Sequence, residues 1–123
     1  MITGTVNGRF EMVIKLPVRD SVGQEHEIEA ILDTGFTGSL TLPPSLIGSL
    51  NLPWRSRSSA ILANSRVEQF DVHAATVIWD GVPRHILIQA MDNPPLLGMA
   101  LLANYDLRAR VIVGGSVQVE AVP

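Results

Sequence analysis

"ILDTGFTGSLTLP", residues 31–43, decides how the rest of the chain is read. An apolar run beginning at Ala30 ends on a carboxylate, Asp33. Thr34 and Gly35 follow, and a second apolar-alternating segment begins within a few residues. An acid at the end of a buried strand loses contact with water and is penalised unless hydrogen bonds or a titration partner compensate. Thr34 brings a hydroxyl, and Gly35 lets backbone N–H groups come close where a Cβ would obstruct them. Asp-Thr-Gly therefore has the chemistry of a carboxylate cradle. Alone, the tripeptide reads equally well as a strand-to-turn sequence whose acid caps local N–H groups.

Working outward, short strands fit the periodicity better than helices. Residues 10–19 alternate as a half-buried strand, DSVGQ reads as a turn, and EHEIEAILD resumes the alternation with Ile28, Ala30 and Leu32 on one face. This hairpin ends on Asp33. Beyond it, Pro43-Pro44 stops a strand, and SLIGSL is expected to form one helical turn capped by Ser45. Residues 55–62 and 66–79 flank Ala63-Asn64-Ser65 as a second, longer hairpin, and Asp80-Gly81 turns the chain into RHILIQAM. A short helix is expected near residues 98–104, the one convincing helical stretch, and two strands around Gly114-Gly115. The predicted class is mainly β, a single domain over 1–123, with no linker, repeat or low-complexity tract.

The composition removes several function classes. The chain has 123 residues, 46% hydrophobic and 17% charged, which suits one folded core and argues against disorder. Its formal net charge is −3 and its nine basic residues are dispersed, so no nucleic-acid footprint is expected. There are no cysteines, which excludes disulfides, thiol nucleophiles and Cys-based zinc sites. The N-terminal residues lack the pattern of a secretory signal, and the longest apolar stretch is far short of the ~20 residues of a membrane span. A soluble cytoplasmic protein without membrane partners is the expectation.

These pieces together resemble the retropepsin-like aspartic proteases, the retroviral enzymes and their bacterial relatives. The resemblance rests on Ala30-Ile31-Leu32 leading into Asp33-Thr34-Gly35, a flap-like hairpin around Ala63-Asn64-Ser65, Leu96-Leu97-Gly98 opening a short helix, and terminal strands around Gly114-Gly115. It spans nearly the whole chain. It implies a closed β fold active as a two-fold homodimer, a polypeptide substrate, no cofactor and no metal. Asp33 is implied as the catalytic acid, Thr34 and Gly35 as its loop, and Ala63, Asn64 and Ser65 as substrate-binding flap residues. Thr34 is implied to reach across the two-fold axis, and the terminal strands to build the dimer interface.

The implied chemistry requires two carboxyl groups that share one proton. One chain supplies one: Asp80-Gly81-Val82 and Asp92-Asn93-Pro94 lack the Thr-Gly cradle, so the second must come from an identical partner. Two features depart from the family pattern. Phe36 stands where Ala or Ser is usual, removing a hydroxyl and adding bulk. Thr37 and Met99 occupy the positions of an acid and an arginine in the retroviral members; both halves of that pair are absent together, so no buried charge is orphaned. A non-catalytic peptide-binding or dimerisation module on the same fold is the competing expectation, motivated by Phe36 and by the missing ion pair. His26, His73 and His85 show no ligand spacing, Ser39 and Ser45 have no nucleophile context, and Trp54 and Trp79 read as core or rim aromatics.

Overall fold

The computed structural model describes residues 1–61 and 64–123. Its elements run β1 (Ile2–Val6), β2 (Met12–Arg19), β3 (Glu25–Leu32), β4 (Leu40–Leu42), α1 (Pro44–Leu50), β5 (Trp54–Ile61), β6 (Val67–Trp79), β7 (Val82–Ala90), β8 (Leu96–Leu97), α2 (Met99–Leu102), β9 (Tyr105–Ala109) and β10 (Ser116–Ala121). The protein is mainly β. Alternation sends Ile14, Leu16 and Val18 of β2 and Ala30 and Leu32 of β3 to one buried face, while Lys15, Glu27 and Glu29 face water. Each fully buried aliphatic side chain contributes roughly 1.5–3 kcal/mol, so this inward face holds the strands in register.

All ten strands join one sheet, in the order β5-β6-β7-β4-β8-β3-β2-β1-β10-β9. An additional pairing of Val18 with Val77 joins β2 back to β6. Six strands, β6-β7-β4-β8-β3-β2, thus close into a ring around Leu16, Val18, Leu40, Ile88 and Leu97, each at most 2% exposed. Outside the ring, β5 pairs with β6 alone, and β1, β10 and β9 extend the sheet beyond β2. Trp79 is buried edge-on to Tyr105, with ring centroids 5.5 Å apart. No described helix is long and apolar enough to cross a membrane.

The two hairpins, the Asp80-Gly81 turn and the late helix lie where the sequence places them. Asp80 and Gly81 both adopt positive φ, 51° and 79°, as a two-residue hairpin turn demands. Three expectations need correction. The described residues hold two helices where one is expected, and SLIGSL, expected as a single turn, lies in the longer, seven residues against four. Its N-cap is Pro43 rather than Ser45, with Pro44 in the first turn, where a missing N–H costs nothing; it ends on Asn51 in the left-handed conformation. Finally, Val111, Ile112 and Val113 belong to no strand. β9 stops at Ala109, and residues 110–115 form a tight turn in which the Gly115 N–H donates to the Ile112 carbonyl and the Gly114 N–H to the Val6 carbonyl.

Candidate active site around Asp33

Asp33 stands one residue beyond β3, half-buried, where the chain leaves the ring before returning as β4. Between these two strands lies β8, parallel to β3 through Ile31–Leu96 and Leu32–Leu97 and antiparallel to β4 through Leu40–Leu97. Leu96-Leu97-Gly98 therefore runs beneath the loop that carries Asp33. The Asp33 N–H donates to the Leu97 carbonyl at 2.9 Å, and the Phe36 N–H donates back to the Asp33 carbonyl at 3.1 Å. Within the loop, the Gly35 N–H donates to Asp33 Oδ1 at 2.9 Å, the backbone half of the cradle the sequence suggests. Thr34 and Gly35 are exposed, so this face of the loop is open to whatever approaches it.

The far side of the loop is fixed by the start of α2. A helix begins with N–H groups that have no partner inside it, and the N-cap here, Gly98, has no side chain to satisfy them. The loop supplies the acceptors. The Met99 N–H donates to the Phe36 carbonyl at 2.8 Å, the Ala100 N–H to the Gly38 carbonyl at 3.1 Å, and the Gly98 N–H to the Ser39 carbonyl at 2.9 Å. Close approach is possible because residue 98 is glycine. A Cβ there would overlap the Gly38 carbonyl oxygen and lie 2.7 Å from the Phe36 carbonyl oxygen.

Phe36 is seated by the same two glycines. Its ring would lie 2.5 Å from a Cβ at either Gly38 or Gly98, so both positions need hydrogen for the aromatic to fit. The bulk noted in the sequence thus sits in the junction between loop and helix. Within β4, Thr41 is the one buried polar residue among those described, and its Oγ1 accepts the Leu96 N–H at 2.9 Å, tying β8 to the strand that leaves the loop. At the other end of α2, the Arg84 guanidinium donates to the Ala100 and Leu101 carbonyls at 3.1 and 3.2 Å, satisfying acceptors that a four-residue helix leaves open.

Of the flap-like residues, Ala63 lies outside the described residues. Asn64 and Ser65 are exposed; Ser65 has φ 65°, and the Asn64 side chain accepts the Arg66 N–H. Every described residue of β5 is exposed, so the hairpin projects from the ring. A cleft of about 480 Å³ lies between the base of that hairpin and the loop exit, lined by Gly38, Ser39, Phe70, Val72, Leu87 and Gln89 among others. A larger depression of about 740 Å³ lies elsewhere, around Arg19, Asn51, Arg55 and Thr76, and includes neither Asp33 nor its loop.

The structure gives each histidine a local partner. His26 Nε2 lies 2.9 Å from Asp20 Oδ2, His73 Nδ1 lies 3.0 Å from the Leu52 carbonyl, and His85 Nδ1 lies 2.7 Å from Thr76 Oγ1. The hydrogen bond from His26 holds the Asp20 carboxyl below its ordinary value of 3.8; burial opposes this, and the N–H groups of Gln24 and Val22 add to it. No group of three His, Asp or Glu side chains among the described residues is arranged to hold a metal ion. Sequence reasoning did not single out Thr41, Arg84 or Gly38, whose roles depend on contacts between distant segments. No protein-family model, curated protein or solved structure matches this chain.

Proposed function

We propose that this chain is an aspartic endopeptidase of the retropepsin-like type, assembled as a two-fold homodimer in which each copy donates Asp33. The observation that carries the reading is the Asp33-Thr34-Gly35 loop held over Leu96-Leu97-Gly98, with β8 inserted between the strands that enter and leave it. That arrangement fixes a half-buried carboxylate at the mouth of an open loop, as positional catalysis demands. The projecting β5–β6 hairpin is suited to cover an extended peptide and add strand-like hydrogen bonds.

In the dimer, two Asp33 carboxyls would hold one proton between them. The ionised one takes a proton from a water molecule as its oxygen attacks the scissile carbonyl, while the protonated one donates a hydrogen bond to the carbonyl oxygen. Collapse of the tetrahedral species breaks the C–N bond, with a proton delivered from the dyad to the leaving nitrogen. No covalent intermediate with the enzyme forms. Gly35 would line the peptide-binding face through its backbone, and Asn64 and Ser65 would lie at the hairpin end that covers it.

The test is cleavage of a peptide library across acidic to neutral pH by the wild type and by Asp33→Asn. Cleavage by the wild type alone supports the reading, and equal cleavage by both removes it. The competing binding-module reading drew its motive from Phe36, whose ring is seated against Gly38 and Gly98. Peptide bound without turnover by the wild type would favour it.

A further inference from the structure

We infer that the second copy docks on an apolar rim formed by Phe10, Met99, Val111, Ile112 and Val113, at the end of the sheet that carries Asp33. This inference rests on the proposed two-chain site, which is incomplete without a partner's Asp33. β1 lies between β2 and β10, and β10 between β1 and β9, so of these strands β9 alone has an unpaired edge among the described residues. A dimer that brings two Asp33 side chains together must in addition use surfaces at the level of Asp33.

Strand register identifies them. Val13 is opposite Ile31, and continuing that register brings the turn after β1 to the level of Asp33. Val6 is opposite Met12, and its backbone is hydrogen-bonded to Gly114 and Gly115, which places the 110–115 turn at the same level. From β3 across β2 and β1 to β10 is three strand spacings, about 14 Å. A circular footprint of about 800 Å², the usual share of one partner, has a radius on the order of 16 Å. A partner centred near Asp33 thus covers both turns.

Those turns display large apolar side chains beside two exposed arginines, Arg9 and Arg110. Phe10, Val111, Ile112 and Val113 are each more than half exposed, and Met99, whose N–H is bonded to the Phe36 carbonyl, is 45% exposed. Together they expose on the order of 500 Å² of side chain, enough for the apolar centre of a standard interface. They are also held in place. Phe10 has φ 60°, an unfavourable conformation for an aromatic residue, in a turn where the Asn7 side chain accepts the N–H groups of Arg9 and Glu11. The turn at 110–115 is closed by its own backbone hydrogen bonds. A rigid apolar rim loses little entropy when it is covered.

The test is sedimentation equilibrium of the wild type, Ile112→Glu, Phe10→Asn and Val82→Glu, each with a peptidase assay beside it. Asn suits a positive φ, so Phe10→Asn removes the aromatic without endangering the fold. Val82 is comparably exposed, but it lies beside Asp80, whose carboxylate pairs with the Met1 amino group at the start of β1, the other end of that strand from the 110–115 turn. The expected result is a reversible wild-type dimer whose dissociation constant rises about tenfold or more in Ile112→Glu and Phe10→Asn, and is unchanged in Val82→Glu. A wild type that is monomeric at every concentration, or a dimer unaffected by both rim substitutions, overturns the inference. An unaffected dimer with Asp33-dependent cleavage would leave the peptidase reading standing and the rim wrong. The expected weakening without any cleavage would leave the rim standing and the peptidase reading wrong.

Discussion

Replacing Gly98 by Ala tests the clamp beneath Asp33 without disturbing anything else by design. Gly98 has φ −107° and ψ −178°, an extended conformation open to any residue, so Ala meets no backbone strain there. The whole effect is steric. The added methyl overlaps the Gly38 carbonyl oxygen and crowds the Phe36 carbonyl and ring. Overpacking of this kind costs about 1–3 kcal/mol, and loosening the Met99 and Ala100 hydrogen bonds to the loop adds ~1 kcal/mol. The lower entropy of the unfolded Ala chain returns roughly 0.4–1 kcal/mol. The net expectation is a loss of about 2–3 kcal/mol, seen as a lower denaturant midpoint at unchanged slope and a fall in melting temperature of roughly 10 °C. Gly48→Ala is the matched control, because that glycine lies exposed in α1 with nothing within 4 Å of a new Cβ. It should stabilise the protein by ~0.5–1 kcal/mol through helix propensity. Equal midpoints for Gly98→Ala and wild type would mean that the loop is not pinned where the hydrogen bonds place it.

Thr41→Val keeps the shape of a buried side chain but leaves the Leu96 N–H without its acceptor; a loss of about 1–3 kcal/mol by urea denaturation is expected, with Thr41→Ser largely restoring stability. Asp20→Asn tests the turn between β2 and β3. Because the Asp20 carboxyl is held below its ordinary 3.8, its charged form contributes stability that is present above that value and lost as the pH falls through the lowered one. Urea midpoints of wild type and Asp20→Asn should therefore differ near neutrality and converge as the solution is acidified below 3.8; a constant gap across that range would show that the charge plays no part.

How much of this was legible in the sequence depends on the range of the interactions involved. The first hairpin and the position of Asp33 follow from local alternation, because Ala30 and Leu32 can be buried only if Asp33 leaves the strand at its end. The Asp80-Gly81 turn is equally local. By contrast, β8 is two residues long and carries no period of its own; it is a strand only because β3 and β4 flank it. Val111-Ile112-Val113 has strong β propensity yet lies outside the strands, since hydrogen bonds from Gly114 and Gly115 close the turn. Residues 44–50, with Pro, Gly and two serines, are a poor helix by propensity, and burial of Ile47 and Leu50 stabilises the helix in its tertiary setting. His26 shows no ligand spacing in the sequence, and the side chain it meets, Asp20, lies in the turn before its strand.

The same contrast of local and tertiary support divides the site into two mechanical parts. The Asp33 loop accepts or donates backbone hydrogen bonds to β8 and to the first turn of α2, and Leu97 and Leu101 beneath it are fully buried. Moving it would break several of these bonds at once and expose core, so its opening free energy belongs near that of global unfolding. The β5–β6 hairpin has the opposite construction. β5 is exposed along its whole described length, Val67 to Gln69 are exposed as well, and β5 is held by its ladder to β6 alone. With almost no apolar burial to resist displacement, this hairpin belongs to the low-stability end of the molecule. On the proposed peptidase reading this division would suit the chemistry, since the acid must stay fixed while a hairpin that covers the substrate must open to admit a polypeptide.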